Sequence, residues 1–533
     1  MRFKDLTEEL IVKMREIHAS SLIWDEKMAQ LMELTGVSER TCRKWLVKLG
    51  IKNKEDIIPP ELEEAKKRKH DKSKKRFIIT WAQNDTQVHS KFLDNIEAYA
   101  NKINGAIHII AGRYKNPTSV ANDAKHESWH SRAKQYLDAN RHDIHKYVSI
   151  MSDIKTQPTA VNPMSGMEGV SGVNSCIFGH PKLQMQTIPV LEGNKPKMML
   201  TTGACTVSNY TDSKSGKKGE FHHTLGFVIV EIKDNDTFFV RQVSAEDNGD
   251  FTDLYYDVRH QGYSDEELET PKVKITKQKT MSGIVLGDLH WGHHDPAVIK
   301  GTEKLMKKLK PEHVVLHDVF DGNSISHHEM KDPFAQYKKE VHGTNSLRDE
   351  LDSMLDGLSM FEKYDNVVIV RSNHDDFLDR WLKNGDWKKQ PTPKNSMEYM
   401  LLSAMLLSQY ANDDDVKGVI PELINHKYPD FITLGRRDTY KIHEWECAHH
   451  GDVGSNGSRG SLIQFRKLNT KVIVGHYHAP QRKDGALAVG TSTYLRVGYN
   501  DGASAWLNTH VIIHESGKAQ HINFIDGEYT TFK

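Results

Sequence analysis

The sequence predicts an α/β protein. Two observations carry that class. Short apolar runs alternate with amphipathic helical stretches, and groups of Asp, Asn and His stand just past the ends of the later runs. Asp288 and His290 follow Ile284-Val285-Leu286. Asp318 and Asp321 lie in HDVFDG, Asn373 and His374 in SNHD, His450 in HHG, and His476 and His478 in GHYH. Side chains spaced this way past a strand end can aim at one ion, and open α/β sheets place their sites at the carboxyl ends of strands. Five such clusters in this order read as a two-metal site.

Composition sets the outer bounds. The 533 residues leave room for roughly two to four domains, each with its own core. Lys and Arg total 72 and so do Asp and Glu, so any affinity for nucleic acid must reside in local patches. Cys42, Cys176, Cys205 and Cys447 show neither paired metal spacing nor a disulfide framework, which suits a reducing cytoplasm. No run approaches the ~20 apolar residues that span a bilayer, so no membrane partner is expected. The charged start MRFKDLTEEL is unlike a signal peptide.

Residues 1–56 read as a helical module. Met28, Leu31 and Leu34 form one apolar stripe, Gly36 and Val37 a turn, and Ser38 an N-cap. Cys42, Trp45, Leu46 and Leu49 then recur at helical spacing. The segment from Met28 to Leu49 resembles a helix-turn-helix, although Thr35 stands where an apolar residue is usual and Met32 where a small one is. The opposite face carries Glu39, Arg40, Arg43 and Lys44, residues which in a DNA-binding version would enter the major groove and touch phosphates. The other reading is a three-helix bundle that packs on another domain or mediates assembly.

Residues 57–76 read as a basic linker. Its run KKRKHDKSKKR contains Lys66, Lys67, Arg68 and Lys69 and is either a solvated hinge or a phosphate-neutralising strap. Residues 77–277 read as a second α/β domain. A strand from Arg76, a helix with Val88, Phe92, Ile96, Tyr99 and Ile103 on one face, and a strand at Ala106–Ile110 make a βαβ unit. Gly- and Ser-rich stretches, such as Ser213 to Gly219, read as loops. His222 and His223 read as ordinary edge residues rather than ligands. This region is expected to shape substrate access or to build the interface of a homo-oligomer.

Residues 278–533 carry the ordered set Asp-x-His, Asp-x-x-Asp, Asn-His-Asp, His-Gly and Gly-His-x-His. That set resembles the calcineurin-like metallophosphoesterase superfamily over nearly half the chain. The resemblance implies a β-sandwich with flanking helices and two divalent ions, with manganese, iron or zinc suiting the mixed ligands better than calcium. It places Asp288, His290 and His478 on one ion, Asn373, His450 and His476 on the other, and Asp318 between them. Two ions about 3.5–4 Å apart can lower the pKa of a shared water and clamp phosphate oxygens. His374 would serve the leaving oxygen as general acid, Asp375 would orient it, and Asp321 would support the ligands from behind.

Two glycines usual in the family are His317 and Ser372 here. His449 competes with His450, which is preferred because it directly precedes glycine. His293, His294, His327 and His328 crowd nearby. The helical module, the basic segment and the large size favour a DNA nuclease. The overall build resembles the large pre-early DNases with which lytic tailed phages degrade host DNA, which implies a DNA partner and the host cytoplasm. Two alternatives stay open: a phosphoprotein or nucleotide phosphatase, and a DNA-bound regulator with a vestigial metal site.

Overall fold

The structure is a computed structural model that describes residues 2–20, 24–51, 60–114, 128–264, 270–390, 392–412, 416–498 and 500–532. Helices Glu8–Ala19, Trp24–Thr35 and Glu39–Lys48 form a three-helix module around Met14, Met28, Leu31, Cys42, Trp45 and Leu46. Thr35 is tolerated inside because its hydroxyl donates to the Leu31 carbonyl at 2.5 Å. Ser38 occupies the N-cap position, but its hydroxyl pairs with Thr41 at 3.1 Å instead of capping.

The start of the expected linker, residues 57–59, lies outside the described residues. Beyond it the structure departs from a hinge: Pro60–Lys67 is a helix that buries Leu62 and Ala65 in the main core. The expected βαβ unit is present. Arg76–Gln83 pairs in parallel with Ala106–Gly112, and Ser90–Ile103 lays Phe92, Ile96, Tyr99 and Ile103 onto them. Five strands form this sheet, in the order Phe238–Ser244, Gly226–Ile232, Arg76–Gln83, Ala106–Gly112, Leu137–Asp138. The loop expected around Ser213 to Gly219 is instead helix Lys214–His222, capped by Ser213. Its glycines serve close packing, since a Cβ on Gly216 would sit 1.8 Å from the Thr211 carbonyl oxygen.

The C-terminal region contains two facing sheets. One has six strands, in the order Ile432–Thr433, Asn366–Val370, Lys310–His317, Thr280–Val285, Thr509–Ile513, Ala519–Asn523. Its first four strands run parallel. Alternate residues of each strand go to opposite faces. Val285, Val315 and Val368 meet Ile442, Trp445, Ile473 and Leu487 of the second sheet, while Ile284, Val314 and Val367 pack with the helices. Burial on both faces is why these strands read as continuous apolar runs.

The second sheet crosses the expected boundary at 277. It has ten strands, and Gln481–Lys483 pairs antiparallel with Gln184–Ile188 to join the halves. The C-terminus returns to the central sheet as well, where the Thr531 N–H donates to the buried Glu231 at 2.8 Å. Among the described residues no helix is long and apolar enough to cross a membrane.

Candidate metal centre

The five clusters come together at one edge of the two facing sheets. Asp288 and His290 follow strand Thr280–Val285, Asp318 and Asp321 follow Lys310–His317, and Asn373 and His374 follow Asn366–Val370. From the other sheet, His450 follows Trp445–Glu446, and His476 and His478 follow Lys471–Val474. Strands that end at the same level deliver their next residues to the same place.

Two groups of ligand atoms share Asp318. In the first, His478 Nε2 stands 3.0 Å from Asp288 Oδ2 and 3.1 Å from His290 Nε2, and His290 Nε2 is 3.4 Å from Asp318 Oδ2. In the second, His450 Nε2 is 3.1 Å from both Asp318 Oδ2 and Asn373 Oδ1, and His476 Nδ1 is 3.1 Å from Asn373 Oδ1. All seven expected ligands are present, and the Asp318 carboxylate lies between the groups. His449 does not join them, because its ring lies toward Phe465.

Two further observations fit residues that could hold a metal ion. Asp288 Oδ1 and Asp318 Oδ1 are buried with no hydrogen-bond donor. Such atoms cost free energy unless something satisfies them. Moreover, His290, Asp318, His476 and His478 all have positive φ, at 42°, 47°, 74° and 54°. Left-handed backbone at non-glycine residues is strained, and such strain concentrates at functional sites.

Electrostatics tells the same story. Burial opposes charge on Asp318, yet the fields of His450, His374 and His290 hold its carboxyl well below the usual range. Burial likewise disfavours a charge on His290 and His450, but Asp318 beside them pushes both imidazoles up to about 9. Protons thus collect on the imidazoles where cations would otherwise balance the carboxylates.

Asp321 stands behind His290, with Oδ1 at 3.1 Å from Nδ1, so His290 turns Nε2 to the centre. A carboxylate behind a ligating imidazole fixes its tautomer and orientation. His293 also reaches Asp321, at 3.5 Å, whereas His327 and His328 are exposed, their rings in contact but tilted by 38°. His374 is half-buried, and its Nδ1–H donates to the Asp321 backbone carbonyl.

That last contact corrects one expectation: Asp375 does not orient His374. Its Oδ2 accepts the Ser372 N–H at 2.9 Å while Ser372 Oγ accepts the Asp375 N–H at 3.2 Å. The pair is a capping box at the start of helix Asn373–Asn384. It also accounts for Ser372 in place of glycine, because the cap fixes the chain just before Asn373. His317 is accommodated differently. Gly475 leaves the space, since a Cβ there would come within 2.9 Å of His317 Cγ.

Several supporting residues escaped the sequence reading. Arg371 donates to Asp376 and Asp379 at 2.8 and 2.7 Å, and Arg436 bridges Asp376 and Asp452 at 2.6 and 2.8 Å, tying the Asn373 and His450 loops together. Glu350 accepts the N–H groups of Gly322, Asn323 and Ser324 just beyond Asp321. His510 Nδ1 accepts the Gly287 N–H at 3.0 Å. The repeated Arg and Asp in RSNHDD and GRRD were the only legible trace of this bracing.

The expected DNA-contacting residues lie elsewhere. Arg40 and Lys44 are exposed, while Arg43 pairs with Glu39 one turn away at 2.9 Å. Lys66, Lys67 and Lys69 are exposed. Arg68 departs from the expectation, because its Nη1 donates to the carbonyls of Gln135 and Leu137 at 2.6 and 3.2 Å. His222 pairs with Asp484 at 2.9 Å, and His223 bonds to the Thr206 carbonyl and the Tyr210 hydroxyl.

Protein A1 of Escherichia phage T5 is 31% identical to this chain over 518 residues, a match that covers 93% of this chain and 86% of that protein. No family model matches the sequence, and no solved structure matches significantly.

Proposed function

The chain belongs to the family of Protein A1 of Escherichia phage T5, and from that premise we propose that it is a two-metal phosphodiesterase that hydrolyses DNA. The carrying observation is the pair of ligand groups that share Asp318 Oδ2. Asp288, His290, His478 and Asp318 would hold one ion, and Asp318, Asn373, His450 and His476 the other. Two divalent ions in such a set supply Lewis acidity that polarises a phosphoryl group and activates water at neutral pH.

The chain's own groups do the rest. Asp321 and the Arg371–Asp376–Arg436–Asp452 bracing hold ligands and loops in place before substrate arrives, which lowers the reorganisation needed in the transition state. With Nδ1 committed to the Asp321 carbonyl, His374 has Nε2 to offer the substrate. A water adds to phosphorus and releases one proton, the ester P–O bond breaks, and His374, in its doubly protonated form, gives its Nε2 proton to the leaving oxygen and is reprotonated by the proton released from the water. The exposed Arg40, Lys44, Lys66, Lys67 and Lys69 supply phosphate contacts that a small substrate would not need. The phage relative supports a phage origin, and on this reading the substrate is host DNA in the host cytoplasm. The test is incubation of the purified chain with plasmid DNA and manganese, beside Asp318→Asn. Manganese-dependent loss of intact plasmid in the wild type alone is expected. Hydrolysis of p-nitrophenyl phosphate with no attack on DNA would replace this reading with a phosphatase.

A further inference from the structure

A second group of buried metal-type side chains joins the five-stranded sheet to the edge strand of the ten-stranded sheet, on elements that carry none of the metal-centre residues. His108 is on strand Ala106–Gly112, Asp138 ends strand Leu137–Asp138, and His142 is on strand Arg141–His145. All three are buried, at 2%, 0% and 4% exposure. His108 Nδ1 stands 2.7 Å from Asp138 Oδ2, and His142 Nε2 stands 2.8 Å from the same oxygen. The three ligand atoms lie within 4.8 Å of one another. A third imidazole is at hand, because the His70 ring packs edge-on against that of His142.

The phosphoesterase centre provides a scale from the same molecule. There the ring centroids of His290 and His478 are 5.0 Å apart and those of His450 and His476 are 5.3 Å apart. Here His108 to His142 and His70 to His142 are each 5.5 Å. Imidazoles at that spacing, crossed at wide angles around one carboxylate oxygen, can point their nitrogens at one ion. Charge argues in the same direction. Asp138 is a fully buried carboxylate whose contacts are two imidazoles and the Asn140 N–H. Arg68 is near enough to interact with it, but Nη1 of its guanidinium is bonded to the Gln135 and Leu137 carbonyls. Among the described residues no Lys or Arg bonds to this carboxylate, and a divalent ion held with the imidazoles would neutralise it.

We propose that His108, Asp138 and His142, with His70 as fourth ligand, form a structural zinc site that pins the basic segment to the edge of the five-stranded sheet. Three imidazoles and a carboxylate suit zinc, which takes four ligands in structural sites. His70 sits in the basic segment, next to Arg68, whose own bonds reach the same corner. The ion would fix where Lys66, Lys67 and Lys69 are presented. The site does not depend on the phosphoesterase reading.

The test uses the full chain, demetallated, held in a large excess of manganese and titrated with zinc, with both metals counted so that zinc that merely displaces manganese is told from added zinc. One further equivalent of tightly bound zinc per chain is expected by elemental analysis, together with the intense visible spectrum of four-coordinate Co(II) on substitution. His108→Gln combined with His142→Gln should remove that one equivalent, keep the manganese and leave hydrolysis of a small diester unchanged. It should also speed tryptic cleavage between residues 66 and 76. Should that variant fail to fold, the wild-type titration still decides. No zinc equivalent beyond the manganese centre, or an equivalent that survives both substitutions in a folded chain, overturns the site. Loss of manganese binding in Asp318→Asn bears on the phosphoesterase reading alone.

Discussion

Gly475 offers a sharp test of how the centre is held. It follows strand Lys471–Val474, and its backbone is not left-handed, so alanine is allowed there on conformational grounds. An added Cβ would lie 2.4 Å from Asp288 Oδ1 and 2.9 Å from His317 Cγ, where ordinary contact begins at 3.4 Å. The Asp288 carboxylate must therefore retreat by about 1 Å. It cannot simply swing, because its other oxygen accepts the His476 N–H at 2.8 Å and faces His478 Nε2 at 3.0 Å. Metal–ligand distances tolerate only about 0.2 Å, and a misplacement of about 1 Å costs on the order of 10²-fold in rate. Gly475→Ala is thus expected to lose ~10²-fold in kcat/KM and to need ~10–100-fold more manganese. Overpacking of this kind costs about 1–3 kcal/mol, so the chain should remain folded. The assay is hydrolysis of bis(p-nitrophenyl) phosphate across a manganese series, beside a thermal melt of the metal-free protein. A folded variant within about threefold of wild type, with an unchanged manganese midpoint, would refute the claim that Asp288 is fixed where an ion requires it.

Asp318→Asn should abolish hydrolysis with the fold intact, because both ligand groups lose the anion they share; near-normal turnover with manganese would contradict that. For His374→Ala, a fall of ~10²–10⁴-fold in rate with full metal content is expected, and lost metal stoichiometry would make His374 a ligand instead. Metal binding should release protons, because His290 and His450 are pushed from 6.5 to about 9 in the metal-free chain and ligands must be neutral. Apparent affinity should therefore climb from pH 6.5 to 9 and level off above, read by calorimetry in buffers of different ionisation enthalpy. The same two groups stabilise the metal-free fold fully below pH 6.5 and lose that contribution as pH rises through 9, so its melting temperature should fall over that window. Arg40→Ala with Lys44→Ala should lower the slope of log affinity for DNA against log salt by about 1.8 and spare the small diester. An unchanged slope with an altered sedimentation profile would point to an assembly module.

The candidate ligand positions were legible because they lie one to five residues past a strand end, and burial on both faces makes most of those strands visible as apolar runs. Identity at a position was legible; what a side chain does there was less so. Asp375 looked like a partner of His374, since adjacency in sequence hides that a helix starts between Ser372 and Asn373 and that its cap claims the carboxylate. The junction of Gln184–Ile188 with Gln481–Lys483 joins segments nearly three hundred residues apart, and neither QMQTI nor QRK has a pattern that names a partner. Arg68 counted as one more charge in a basic run until the chain's path placed it over two carbonyls. In each case the missing information was tertiary: which backbone group or carboxylate comes to lie opposite.

The continuous ten-stranded sheet has a consequence for how this protein could have been put together. A segment beginning at residue 278 would carry all seven residues of the candidate metal centre. It would also leave Gln481–Lys483 as an open edge and strip the central partners from Leu507 and Ile525. Exposed edges of that kind recruit other chains. The C-terminal region is therefore not a self-contained cassette, because its second sheet is completed by central strands. A substitution in either the central or the C-terminal region thus acts on one shared sheet and core, whereas the three-helix module packs around a core of its own.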